Sequence, residues 1–233
     1  MSAVTSFPLV SLNVAGVSVT RVSDDFPDLG ISGLDGLDDL FVEPRPDEDA
    51  WEAYLDLALE RIGGERGPGL TNRELGELEA VVGVQLPFEV GMLLVMGVPV
   101  AEPWRQWHDP EAQWLQWNEY VRDGIAFDVE HNEFWADRWG QRPSSLADQL
   151  ATVHEQFETT IPPLFPLYSH RAVPLTTSDG AANSDGNPVL SVHQTDVIVY
   201  GADLAAWMHR EFEVPLPMWP SEDRTFTFWS DPS

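Results

Sequence analysis

Six side chains in the last third of the chain have the types and spacing from which chemistry could be built: Tyr168, His170, Arg171, His193, Asp196 and Tyr200. Two histidines and a carboxylate that converged could hold a metal ion or move a proton, since imidazole is both a common ligand and a base that titrates near neutrality. His193 and Asp196 stand three apart across an expected tight turn, and His170 lies on a neighbouring strand candidate. The surrounding pattern argues against a reactive site. The chain has no His-Glu-x-x-His run, no Gly-x-Ser-x-Gly elbow and no glycine-rich phosphate loop. A structural role fits these residues better: Asp196 caps the turn by accepting from nearby backbone amides, with His193 paired to it. A hydrolase using His170, His193 and Asp196 is the remote alternative. No catalytic, cofactor-binding or metal-binding residue is assigned.

Composition narrows the chemistry further. Cysteine is absent, which removes disulfides, thiolate nucleophiles and Cys-ligated metals. All 12 basic residues are arginine, so Schiff-base and P-loop lysine chemistry are removed as well. The stretch from Ser178-Asp179-Gly180 to Ser184-Asp185-Gly186 is rich in turn formers, but it lacks the ligand alternation and terminal glutamate of a calcium loop. A surface loop is expected there, and no cofactor anywhere.

Net charge bears on partners. With 39 acidic against 12 basic side chains the formal charge is -27. Such a field repels nucleic acid and anionic membrane, and draws in cationic partners over about 8 Å at physiological salt. Solubility alone is the plainer account of the same charge. No apolar run reaches the ~20 residues that span a bilayer, and the N-terminus lacks the basic and apolar regions of a signal peptide. A cytoplasmic location is expected, with a monomer favoured.

Ten tryptophans are an unusual number, and six lie between Trp104 and Trp139. Trp104/Trp107 and Trp114/Trp117 are spaced to be neighbours if helical. Phe134-Trp135 and Trp139-Gly140-Gln141-Arg142-Pro143 follow. Each indole can bury a large area while still needing a partner for its N–H. An aromatic core with Arg105 and Arg142 at its margin is the expected use; an exposed ledge acting as a protein-binding hot spot is the alternative. A single-strand nucleic-acid platform is excluded, because it needs a positive groove.

The elements that must position these residues can be placed by periodicity. Residues 9 to 22 alternate as a short hairpin. From Asp24 to Glu52 there are 11 acidic residues and one arginine, with Gly30, Gly33, Gly36, Pro44 and Pro46 interspersed, which suggests a solvated loop. Trp51, Leu55, Ala58, Leu59 and Ile62 mark a helix face that Gly63-Gly64 ends. The Gly/Pro stretch from Gly63 to Gly69 sets the expected boundary between an N-terminal extension, 1–69, and a main domain, 70–233. Thr71 and Glu74 form a capping box, with Leu75, Leu78, Val81 and Val82 as the buried stripe. Leu86-Pro87 opens a second helix with core residues Val90, Leu93 and Leu94, although Gly91 costs a helix interior about 1 kcal/mol. Leu146, Leu150, Val153 and Phe157 describe another helix, and Leu204, Trp207, Met208 and Phe212 a last one. Leu164 to Pro174, Val189 to Val192, Val197 to Tyr200 and Thr225 to Trp229 are strand candidates. Helices first and strands late imply an α+β fold with a mostly antiparallel twisted sheet and helices packed on it.

Three blocks carry a resemblance. The first is Trp104, Trp107, Phe134, Trp135, Trp139, Gly140, Arg142 and Pro143; the second runs from Pro163 through Tyr168 to His170 and Arg171. The third runs from Gly186, Asn187 and Pro188 through His193 and Asp196 to Tyr200, Gly201, Asp203 and Leu204. Together they resemble the SUKH superfamily, which includes fungal cell-wall-assembly regulators and bacterial toxin-immunity proteins. The resemblance spans about Leu70 to Trp229. It implies a non-enzymatic α+β domain that binds another protein, most simply a basic, nuclease-like toxin that it neutralises. A cytoplasmic regulator or scaffold without a toxin partner is the alternative it leaves open.

Overall fold

The computed structural model describes residues 10–14, 17–21, 47–175, 186–217 and 228–229. The chain divides into two compact units, Met1–Glu43 and Pro44–Ser233. In the first, β1 (Val10–Val14) and β2 (Val17–Arg21) pair antiparallel, with Val10 opposite Arg21 and Val14 opposite Val17. Of the acidic segment from Asp24 to Glu52, expected as a loop, residues 24–46 lie outside the described residues, while Asp47 to Glu52 cap and open a helix rather than extend a loop. Of the turn-rich loop over 178–186 only Gly186 is described, and the strand expected from residue 225 is described only from Phe228. Phe228 and Trp229, the end of that expected strand, lie in a turn.

The second unit begins with α1 (Glu48–Ile62), whose Asp47 side chain accepts from the Ala50 amide at 2.9 Å and so occupies one of the free first-turn donors. Trp51, Tyr54, Leu55, Ala58 and Leu59 are its buried face. α2 (Asn72–Val82) starts at the predicted capping box: the Thr71 amide donates to Glu74 at 2.8 Å and the Glu74 amide to the Thr71 hydroxyl at 3.3 Å. α3 (Phe88–Met96) follows Pro87, with Val90, Leu93 and Leu94 buried. A Cβ on Gly91 would stand 3.6 Å from Leu75, an ordinary contact, so nothing in the packing demands glycine there.

The boundary expected at residue 69 is corrected by this packing. Leu55 and Leu59 of α1 share one core with Leu78 of α2, Leu93 of α3 and Trp207 near the C-terminus. The Gly/Pro stretch is no linker either. The Gly67 amide donates to the Val98 carbonyl and the Val100 amide to that of Glu65, both at 2.9 Å. A Cβ on Gly69 would fall 1.6 Å from the Val95 carbonyl oxygen. Glycine is required there by close backbone approach, which in sequence looks the same as a flexible hinge.

Next comes α4 (Pro110–His131), a 22-residue helix capped by Asp109 with proline in its first turn. α5 (Leu146–Thr159) packs beside it. The sheet has four antiparallel strands in the order β3 (Leu164–Tyr168), β4 (Arg171–Pro174), β5 (Val189–His193) and β6 (Asp196–Gly201). The last helix is α6 (Leu204–Phe212), capped by the buried Asp203, which accepts from the Ala206 amide at 2.7 Å.

Alternate side chains of the sheet enter two different cores. Phe165, Leu167, Val173 and Val189 join α1, α2, α3 and α6. Leu164, Ala172, Leu190 and Val192 join α4, α5, Phe228 and Trp229. The fold is thus α+β, with helices on both sides of the sheet, which is why β3 to β5 are near-continuous apolar runs.

Gly201 marks where β6 turns into α6. A Cβ there would lie 2.4 Å from the Trp207 amide nitrogen and 2.6 Å from its Cα, against backbone that cannot swing aside. Gly201→Ala is expected to destabilise the fold by about 1–3 kcal/mol, the usual range for overpacking. Urea denaturation should show a lower midpoint at unchanged slope.

Candidate functional site

Arg171 of β4 is the hub of the predicted histidine-containing constellation. Its register partner on β5 is Ser191, whose hydroxyl accepts from the guanidinium at 2.8 Å. Nε donates to Glu211 of α6 at 3.0 Å, in an ion pair whose partners are 11% and 18% exposed. The guanidinium carbon lies 3.7 Å from the centre of the Tyr200 ring, and that of Arg210 lies 4.2 Å from the same centre. Arg210 also donates to the Tyr200 carbonyl at 3.2 Å. A carboxylate and an aromatic face in one partly buried place hold this cation more firmly than either would at the surface.

His170 is not on a strand, as expected, but in the turn joining β3 to β4, where Ser169 has φ 50°. Its Nδ1 is 3.1 Å from the Ser169 hydroxyl, and its Nε2 meets the Arg171 guanidinium. An arginine cannot accept a hydrogen bond, so Nε2 is the acceptor and the ring is held neutral. Burial lowers the His170 pKa first, with Arg171 and His193 adding to it and Glu211 opposing. Tyr168 packs its ring 5.2 Å from both Trp104 and Phe212. Its pKa is raised by burial and then by Glu211, with Arg171 opposing.

His193 stays within electrostatic reach of His170, and next to it the Val192 amide donates to the His170 carbonyl at 3.0 Å. His193 and Asp196 also define the neighbouring turn. They face each other as the register pair that closes the β5–β6 turn, and both are exposed. The carboxylate that holds this turn is not Asp196, as expected, but Asp128 of α4. It accepts from the Thr195 amide at 2.9 Å and from the Thr195 hydroxyl at 2.6 Å. Burial pushes the Asp128 carboxyl up, but the bonds from Thr195 and Asn132, with His193 nearby, outweigh it and bring the pKa below 3.8. Among the described residues the one histidine–carboxylate pair within 4.0 Å is His131 with Glu130, and no group of three potential ligands could hold a metal ion. The hydrogen-bonded His/His/Asp unit that a hydrolase would need is therefore not assembled by these side chains.

The aromatic block divides by burial. Trp104, Trp107 and Trp117 are buried, and Trp117 donates its indole N–H to the Leu164 carbonyl at 2.8 Å. Trp135 and Trp139 are half-buried and meet edge to face at 5.2 Å; Phe134 meets Trp139 in the same way at 5.7 Å. Arg142 is a helix cap. It donates to the Val129 carbonyl at 2.6 Å, to the Glu133 carbonyl at 3.0 Å and to the Gln149 side chain at 3.0 Å, while lying 5.9 Å from the Trp135 ring centre. A fixed cation at the C-terminal end of α4 satisfies a free carbonyl and opposes the helix dipole. Asn187, also buried, donates to the Pro174 carbonyl at 2.8 Å and ties the start of β5 to the end of β4.

Ser191, Arg210, Glu211 and Asp128 were not identified from the sequence, because none stands at a motif spacing from its partner. Asp128, within the tryptophan-rich segment, and Ser191, within the third block, stand in the sequence as members of those runs, with no role attached. No family model, curated protein or solved structure matches the chain. Among the described residues, no helix is long and apolar enough to cross a membrane.

The titrating groups give a pH profile with a defined sign. His170 is neutral in both states above its ordinary 6.5; below that the unfolded chain takes the proton first, so stability falls with pH. Asp128 contributes fully above its ordinary 3.8, and its contribution is lost as pH falls through the lower folded value. The urea midpoint is expected to drop between about pH 7.5 and about pH 5.5, and His170→Gln should remove much of that drop. An equal slope in the variant would show that His170 is not its source.

Proposed function

We propose that this chain is a SUKH-like protein-binding domain acting as an immunity protein, one that neutralises a basic, nuclease-like toxin domain by occupying it. The observation that carries the reading is the charge of -27 and where its acids stand. Glu48, Glu52, Asp56 and Glu60 form an exposed stripe along one side of α1. A nuclease must present cations to its substrate, so an acidic protein is steered onto the same surface and competes for it.

The geometry of the three motif blocks is consistent with binding rather than turnover. Arg142, Asp203 and Asn187 hold backbone groups, while Arg171 links β4, β5 and α6. Residues of this kind keep a domain rigid, and rigidity lowers the entropy cost of association.

Affinity purification from native lysate at low and high salt tests this. A basic protein retained at about 0.1 M salt and lost at about 0.5 M, where screening shortens the range of the field, is the expected result. A neutral partner held regardless of salt would overturn the toxin reading and leave a regulatory scaffold.

A further inference from the structure

We propose that the solvent face of α4 is the surface that docks on the protein partner, and that the partner offers basic groups flanked by apolar ones; this rests on the protein-binding reading above. A helix of 22 residues is about 33 Å long, enough to span an interface. Its inner side buries Trp117, Val121, Ile125 and Val129. Leu115 on one flank of that side and Tyr120 and Phe127 on the other are 60%, 43% and 45% exposed. Between these flanks, on the face turned away from the core, stand Glu119, Asp123 and Glu130, all exposed. Leu115 and Phe127 place large apolar surface on the wet side of the helix, of the kind that another molecule covers.

Two of these rings are already held in place. Tyr120 stacks on Trp117 at 5.3 Å and donates to the Val192 carbonyl at 3.4 Å, while Phe127 stacks on His131 at 4.3 Å. Preset aromatic anchors lose little side-chain entropy on binding, as hot-spot residues do. The charge selects the occupant. The neighbouring cation, Arg122, is paired to Asp123 at 3.1 Å, which leaves this face net negative. A second copy would bring the same acids against it, and nucleic acid or an anionic bilayer would be repelled likewise. A cationic protein surface is the complement. The stripe on α1 has comparable charge but exposes just one large apolar side chain, Leu57 at 49%, which makes it the internal control.

The experiment places a photoreactive benzophenone amino acid at Leu115 or at Phe127 in the full chain, with Leu57 as control, and identifies the proteins cross-linked in native lysate. The expected result is one basic protein captured from both α4 positions and not from Leu57. With that protein purified, the double variant Leu115→Ala/Phe127→Ala should bind it at least tenfold more weakly at an unchanged melting temperature. Glu119→Gln/Asp123→Asn/Glu130→Gln should lose most of the salt dependence of the association rate. Capture at Leu57 alone would overturn the assignment to α4 while leaving the protein-binding reading intact. So would unchanged affinity in the double variant. Capture of a second copy, or of an acidic protein, at the α4 positions would overturn the basic partner. Capture at none of the three would overturn both this assignment and the proposed function.

Discussion

Strands β3, β4 and β5 are covered on both faces along most of their length, and the rest of the main unit is arranged around that constraint. A sheet buried on both sides needs two helical layers, and the chain supplies them in two groups. The helices that precede Trp104 combine with α6 on one face; α4 and α5 cover the other. The connection from β6 to α6 must then be short and close, which is what Gly201 permits and what Asp203 caps. β6 lies at the limit of this cover. Ile198 and Val199 are exposed on it, although Val197 still packs against the α4 side. One strand therefore passes from core to surface within six residues.

The buried carboxylates follow from the same architecture. Taking charge out of water is costly unless donors surround it, and here the donors are backbone amides at places where the chain changes direction. Asp203 begins α6, Asp128 holds the β5–β6 turn, and Glu89 accepts from the Gly186 amide at 2.8 Å where the chain enters β5. Each ties a turn to an element distant in sequence or starts the next helix. Tyr54 lies close to one of them. Burial first, and then the Asp203 carboxylate, raise its pKa well above the ordinary tyrosine value. The phenol stays neutral and donates to the Ala205 carbonyl at 3.2 Å, so α1 is bound to α6 through polar as well as apolar contacts.

Elements with local chemistry were legible in the sequence; contacts across the sheet were not. The capping box at Thr71, the Gly63 and Gly83 stops, the β5–β6 hairpin and α6 all follow from neighbours within a few residues, whereas residues 164–174 read as one strand and fold as two. α4 escaped recognition because its apolar side chains do not form one stripe. Leu115, Tyr120 and Phe127 stand on both flanks of the stripe of Trp117, Val121 and Ile125, so periodicity is blurred, and only Asp109-Pro110 gives a local start signal. The boundary at residue 69 failed for another reason, since glycine required by backbone contact and glycine in a hinge have identical sequence. At the candidate site, Tyr168, His170, Arg171 and Tyr200 do gather, but around Glu211, which no spacing rule links to them. His193 lies within electrostatic reach of His170, yet it and Asp196 sit at the turn of the β5–β6 hairpin, where Asp128 accepts the hydrogen bonds that hold the turn. Proximity along a strand of six residues does not place two ends of it in one site.

The cations explain why the surface field stays negative. A chain with 12 arginines and no lysine could still offset part of its acidity locally. Instead several of the described arginines are committed within the fold. Arg142 lies on carbonyls at the end of α4, Arg105 on the Ser169 carbonyl at 3.3 Å, and Arg171 between Ser191 and Glu211. Arg66, Arg73 and Arg122 each pair with a carboxylate beside them. Such pairs neutralise one acid each and leave the excess exposed. Arginine suits this internal role because its planar fork satisfies several carbonyls at once and keeps its proton when buried, which lysine does not. The composition and the architecture thus have one physical consequence: part of the scarce positive charge is used to hold backbone or single acids, and the excess negative charge outside is free to act over the distance at which a partner is first met.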